Sequence, residues 1–241
     1  MPYLEREGVQ IFYETSGRGS ALLLTHGIGG SGRMWQRQAE ALQGQYQVIR
    51  WDIRGHGRSD RPAAPSNYSE AVTVADMAAI LDACGAQRAV IGGLSLGGYM
   101  SLAFQLAHPE RTRALVLCDC GPGTRHPERQ EGSSAGDDAV EAFNDLGLDD
   151  VPGAMGEAPP RLMLTQVDDR VLRSLDQIKV PTLVVVGARD TAYLAATQYI
   201  AAKIPGAKRL VLDNAGHASN IDQPAAFNAV VSEFLSSLPS I

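Results

Sequence analysis

Cysteine is scarce in this chain: Cys84, Cys118 and Cys120 are all there is in 241 residues. Three is too few for a disulfide framework, and Cys-x-Cys alone is a poor metal signature, so the thiols are read as reduced. Long apolar runs are missing as well. None approaches the roughly eighteen residues of a membrane span, and the opening MPYLEREGVQ lacks the charged-then-apolar pattern of a secretory signal. The expectation is a cytoplasmic protein with no membrane partner. A basic stripe is also lacking, which argues against a nucleic-acid partner.

What is present is acidic and unevenly placed. The formal net charge is -6. Between Glu128 and Glu157 lie nine acidic residues and one basic one, Arg129, a local balance of -8 that leaves the remainder at +2. One segment therefore carries the acidity, and a solvated face is the ordinary role for such a run.

Along the chain, residues 3–6 and 9–15 read as a hairpin turning at Glu7-Gly8. Beyond them come short, nearly continuous apolar runs at 21–25, 47–51, 88–93, 114–119, 181–187 and 209–213. Strands of that kind are buried on both faces, as in a parallel sheet. Helical stretches at about 33–43, 70–84, 96–107, 192–204 and 223–237 alternate with them, the last with Asp222 as its expected cap and Pro224 in its first turn. The alternation predicts an α/β chain with a doubly wound, mostly parallel sheet. Residues 121–180 break the rhythm and are rich in Gly, Pro and acid. A connection of that length between two strands is expected to be a cap or lid. The predicted organisation is a core of residues 1–120 and 181–241 with a short acidic insertion at 121–180.

Residues 21–52 imitate a dinucleotide site. Gly27, Gly29 and Gly32 spell G-x-G-x-x-G after a strand, and Asp52 ends the next one. Tyr199 and Lys203 add the Tyr-x-x-x-Lys pair of short-chain dehydrogenases. The arrangement fails, because Asn214-Ala215-Gly216 follows the tyrosine instead of preceding it. Tyr199 and Lys203 then read as ordinary i, i+4 helix neighbours.

A second glycine motif fits better. VIGGLSLGGYM places Ser95 between Gly93 and Gly97, where a buried strand gives way to a helix. A turn that sharp forces an unfavourable backbone conformation and brings chain segments close together, so flanking positions without a Cβ relieve the crowding. The hydroxyl then stands at the carboxyl end of the sheet, above a helix N-terminus. Serine is a weak nucleophile and needs a base with an orienting acid. Of five histidines, His217 follows a strand in LDNAGHASN, after the serine and before the last helix. Asp190 follows the preceding strand, at its carboxyl end, and is favoured as the acid over Asp119 and Asp213, because Ser then Asp then His is the chain order of this arrangement. An oxyanion hole is expected from the backbone NH groups of Leu96 and of Ile28, in THGIGGSGRMW, with His26, Gly27 and Gly29 supporting that loop.

With these elements in order, HGIGGSGRMW, WDIRGHGRSD, GLSLGG, VPTLVVVGARD and NAGHASN resemble the α/β-hydrolase fold family over nearly the whole chain. The loop of Asp52, Arg54, Gly55, His56, Gly57 and Ser59 is similar to a structural loop of that family. A serine nucleophile excludes the aspartate-dependent epoxide hydrolases and haloalkane dehalogenases. The stretch from Gly93 to Gly123 looks most like the esterase and enol-lactonase branch.

The resemblance implies hydrolysis of small neutral carboxylic esters through an acyl-enzyme, with water as second substrate and no metal or organic cofactor. Lactonase, cofactor-free perhydrolase and ligand receptor are its alternatives. The acidic insertion disfavours carboxylate-bearing substrates, unless Arg125 or Arg161 points inward, and its shortness predicts an open, broadly accepting site.

Overall fold

The structure, a computed structural model, describes residues 3–123 and 168–239. The acidic run and Arg125, Arg161 and most of the predicted insertion lie outside the described residues. Eight strands form one sheet: β1 (Tyr3–Arg6), β2 (Val9–Ser16), β3 (Ser20–Thr25), β4 (Tyr46–Trp51), β5 (Ala89–Leu94), β6 (Thr112–Cys118), β7 (Thr182–Gly187) and β8 (Lys208–Leu212). Their spatial order is β1-β2-β4-β3-β5-β6-β7-β8. The first two pairings, β1 with β2 and β2 with β4, are antiparallel, and all the others are parallel. The expected doubly wound, mostly parallel sheet is the observed one.

Seven α-helices are described: α1 (Gln36–Leu42), α2 (Glu70–Ala83), α3 (Leu96–Ala107), α4 (Arg170–Ser174), α5 (Thr191–Lys203), α6 (Ser219–Asp222) and α7 (Pro224–Ser236). None is long and apolar enough to cross a membrane. The pleat sorts each strand's side chains between two apolar layers. On β3, Ala21 and Leu23 join Met77, Ile80, Met100 and Phe104 from α2 and α3 on one face. Leu22 and Leu24 join Trp35, Leu42, Phe227 and Phe234, the layer built with α1 and α7, on the other. Two covered faces explain why the parallel strands read as continuous apolar runs rather than as alternating ones.

Helix α3 sits deepest, with every residue from Leu96 to Gln105 buried. The helix that follows Ser95 is therefore packed on nearly all sides.

Two details differ from expectation. The stretch at 33–43 opens as a 3-10 turn over Gly32–Trp35 before α1 begins. Asp222 does not cap the last helix, whose N-cap position is Gln223. The Asp222 carboxylate instead accepts the Gly216 N–H at 2.6 Å, so it braces the loop that carries His217.

The loop after β4 is pinned by a buried ion pair. Arg54 donates to both oxygens of Asp76, Nε at 2.7 Å and Nη2 at 2.9 Å, and both side chains are buried. Removing the acid would strand a desolvated guanidinium, a loss worth about 3 to 5 kcal/mol. Asp76→Ala is expected to lower the unfolding free energy by that amount in urea titration; a change below about 1 kcal/mol would show that the pair is not what holds this loop.

Candidate functional site

In a parallel sheet the carboxyl ends of the strands share one edge, and residues scattered through the chain converge there. Ser95 follows β5, Asp119 follows β6, Asp190 lies just beyond β7 and His217 lies beyond β8. Ile28 and Asp52 follow β3 and β4 at the same edge.

Ser95 has φ 54 and ψ -115, a conformation that costs a non-glycine residue about 1 to 3 kcal/mol. It is held there from both sides. Ser95 N–H donates to the Cys118 carbonyl at 2.9 Å, and its own carbonyl accepts Tyr99 N–H at 3.1 Å. The turn is tight enough that a Cβ on Gly93 would collide with the backbone of Gly97, and one on Gly97 with the Thr25 and His26 carbonyls. Both glycines are thus dictated by backbone meeting backbone, as their place in the motif predicts.

His217 Nδ1 lies 2.9 Å from Asp190 Oδ2, and both side chains are nearly buried. An ionised carboxylate only accepts, so the imidazole carries its proton on Nδ1 and leaves Nε2 as the basic nitrogen. Nε2 is buried and has no hydrogen-bond partner among the described residues. Ser95 is therefore at the same edge as the pair but not hydrogen-bonded to it in this state. The loop bearing His217 is tied down by Arg189, whose N–H donates to the Ala215 carbonyl at 2.9 Å and whose guanidinium bonds the Asn214 carbonyl. At the end of β7, a side chain on Gly187 would clash with the carbonyls of Ala215 and Gly216.

The rival acids take other positions. Asp119 is wholly buried, at φ 46, and its carboxylate accepts the Gly187 N–H at 2.8 Å and the Ser219 hydroxyl. It ties the end of β7 to the start of α6, and burial pushes its pKa well above the ordinary carboxylate range. Asp213 is exposed. Of the three, Asp190 is the acid set against His217.

The loop after β3 packs onto the elbow formed where β5 turns into α3 at Ser95: a Cβ on Gly27 would lie 3.4 Å from the Ser95 Cβ. Ile28 and Leu96 are both buried beside it. His26 shapes this loop from beneath. Its Nε2 accepts the Ile53 N–H at 3.0 Å, so Nδ1 bears the proton and donates to the Gly27 carbonyl at 2.6 Å. Gly29 takes φ 76, within the left-handed region.

The dinucleotide look-alike resolves into turn chemistry. Asp52 accepts the Gly32 N–H at 2.6 Å and the Arg58 N–H at 2.8 Å, and the Ser59 hydroxyl, which donates to the Asp52 carbonyl, accepts Phe12 N–H at 2.9 Å. A cavity of about 430 Å³ beside this loop, lined by Glu14, Ser31, Arg33, Gln36 and Arg58, includes none of the residues around Ser95. Tyr199 and Lys203 contact each other as helix neighbours, Nζ 5.6 Å from the ring centre. Among the described residues no cluster of three or more His, Cys, Asp or Glu is placed to hold a metal ion.

Two residues at this edge escaped the sequence reading. Ser219 acts through Asp119. Tyr193 stacks its ring on the His217 imidazole, with centroids 4.8 Å apart and planes 28° from parallel. No motif marks either, because their partners lie far away in the chain.

Burial holds both loop histidines neutral. The His26 pKa is lowered to about 4 and that of His56 to about 3, and the rings lie 5.1 Å apart. Above pH 6.5, the ordinary histidine value, neither state of the chain is protonated at these positions and their contribution is complete. As pH falls below it, the unfolded chain binds protons that the folded one refuses, so stability drops until the folded values are reached. His26 alone is expected to cost about 3 kcal/mol across this window. Urea unfolding at a series of pH values checks this, with His26→Asn giving a shallower slope; an unchanged slope would mean that His26 does not carry the dependence.

Comparison with known proteins agrees with this architecture. The alpha/beta hydrolase fold family model matches residues 20–144. A putative carbamate hydrolase RutD of Azorhizobium caulinodans is 39% identical over 117 residues, 48% of this chain and 43% of that protein, so the match spans less than half of that relative. The solved enol-lactonase of Burkholderia xenovorans LB400 superposes with a TM-score of 0.82 at 28% identity, over 98% of this chain and all of that one. A thermophilic esterase from Thermogutta terrifontis superposes with a TM-score of 0.81 at 26% identity, over 99% of this chain and 98% of that one. By its sequence match, its strand order and the turn that carries Ser95, the chain belongs to the alpha/beta hydrolase fold family.

Proposed function

We propose that this hydrolase cleaves small neutral carboxylic esters by acyl transfer through Ser95. The observation that carries the reading is the Asp190–His217 contact of 2.9 Å at the sheet edge where Ser95 is held at φ 54. Its likeness to a solved esterase and a solved enol-lactonase, each along nearly its whole length, supports the same chemistry, since a lactone is an internal ester.

In this scheme Ser95 Oγ attacks the ester carbonyl carbon while His217 Nε2 takes its proton. Asp190 holds the imidazole in the required tautomer and stabilises the cation that forms. The carbonyl oxygen becomes an oxyanion, bound by the Ile28 and Leu96 N–H groups, each such donor being worth about 3 to 4 kcal/mol of barrier. Collapse expels the alcohol, which receives the proton from His217. Water, activated by the same nitrogen, then releases the acid. Rotation of the serine side chain toward Nε2 belongs to the first step, because catalytic hydrogen bonds in unliganded enzymes often close only with substrate bound.

Neutral substrates fit the charge distribution better than anionic ones. The formal net charge of -6 disfavours the approach of carboxylates, although salt screens it beyond about 8 Å. A lactone of neutral charge is the second substrate type compatible with the fold-wide likeness to the enol-lactonase. We place the reaction in the cytoplasm.

Release of p-nitrophenol from acetate, butyrate, octanoate and palmitate esters tests the reading. Short-chain esters are expected to turn over, without sharp selection among them, and Ser95→Ala is expected to lower kcat by about 10⁴-fold or more. Activity that survives Ser95→Ala would undo the assignment of the nucleophile. A well-folded wild type active on lactones alone would transfer the reading to lactone hydrolysis.

A further inference from the structure

The first turn of α5 holds a side chain that the scheme above leaves idle. Tyr193 lies three residues past Asp190, and its N–H donates to the Asp190 carbonyl at 3.0 Å. Residues three apart at the start of a helix share a face, so the phenol is carried to the side where Asp190 meets His217. Its ring covers the imidazole at 4.8 Å. The Gly121 backbone borders the same ring, since a Cβ there would lie 4.0 Å from Tyr193 Cε1. The Ser95 side chain favours the ionised form of the phenol, so it lies near the hydroxyl end of the ring. One phenol thus stacks on the proposed base and lies near the proposed nucleophile. Stacking on His217 needs only the ring, and phenylalanine would supply it.

We infer that Tyr193 is a further catalytic residue of this site, whose hydroxyl donates a hydrogen bond to the atom that departs from the acyl carbon, so that the site suits esters with poor, strongly basic leaving groups. This rests on the acyl-transfer reading above. The oxyanion donors belong to the elbow and the β3 loop, whereas Tyr193 stands with His217, on the side from which the departing atom takes its proton. Burial raises the Tyr193 pKa, which keeps the phenol protonated and able to donate at neutral pH.

The proton count is unchanged. The bond from Ser95 Oγ to the acyl carbon forms as the Oγ proton passes to Nε2. The bond from the acyl carbon to the leaving oxygen then breaks, the electron pair goes to that oxygen, and the oxygen takes the same proton from Nε2. Tyr193 keeps its own proton and stabilises the negative charge that builds before the transfer is complete. Such a bond matters for an alkoxide and very little for p-nitrophenolate, which departs without a proton.

The test is Tyr193→Phe, which keeps the stacking ring, assayed on ethyl butyrate and p-nitrophenyl butyrate. The expected result is a loss of about tenfold in kcat/KM for the ethyl ester and less than about twofold for the p-nitrophenyl ester. Equal losses on both would reduce Tyr193 to packing, and no loss on either would remove it from the reaction; each overturns the proposal. Labelling with a fluorophosphonate, located by mass spectrometry, separates the two readings. Ser95 labelled in both wild type and variant, with a flat response to leaving group, overturns the role of Tyr193 alone. Ser95 unlabelled in the wild type overturns the nucleophile assignment and the Tyr193 proposal with it. Should neither butyrate ester turn over, the rate of Ser95 phosphonylation by p-nitrophenyl and phenyl phosphonate esters supplies the same comparison, with selective loss for phenyl expected and a flat response overturning the proposal.

Discussion

The structure depends on one close approach of backbone to backbone. Where β5 turns into α3, Gly93 and Gly97 lie against each other and against the Thr25 and His26 carbonyls at the end of β3. That contact lets three chain segments meet with no side chain between them. It holds Ser95 in a conformation it would not adopt alone, and brings the Ile28 loop against it. Strain of about 1 to 3 kcal/mol at one residue persists only because the surrounding packing over-determines it. The burial of α3 along nearly its whole length supplies that packing.

Around this contact the buried polar groups hold loops in place. His26 grips the Gly27 carbonyl and the Ile53 N–H, Arg54 pairs with Asp76, and Asp119 joins β7 to α6. All are taken from water, so each is sensitive to losing its partner or, for the histidines, to gaining a proton. The carboxyl edge of the sheet thereby becomes a frame for the groups gathered on it. This is the usual division in parallel α/β proteins, where the scaffold is apolar and the chemistry sits on the connecting loops.

Asp190, Tyr193 and His217 form a compact unit on that frame. Asp190 is the N-cap residue of α5, Tyr193 lies in its first turn, and the imidazole is bonded by the one and stacked on the other. A single helix start thus orients the proposed base from two directions. The Arg189 contacts to the Ala215 and Asn214 carbonyls and the Asp222 bond to Gly216 fix the opposite loop. Contacts from both ends hold the imidazole in one orientation.

By itself, the sequence determined the sheet and the elbow. Runs such as ALLLT and LVVVG are apolar throughout because both faces of each strand are covered, and Gly93 and Gly97 flank Ser95 because no Cβ fits there. These signals are local, since each residue answers to its own strand or turn. Chain order also placed Asp190 ahead of His217. What only the tertiary structure decided was which acid meets the imidazole, since Asp119, Asp190 and Asp213 all lie near strand ends in the sequence. It also decided that Asp222 braces a loop instead of capping a helix, and that Tyr193 stacks on His217. Those outcomes depend on the strand order that sets β7 beside β8 and on the crossovers that return each helix to the sheet. Proximity across a sheet edge has no counterpart in spacing along the chain.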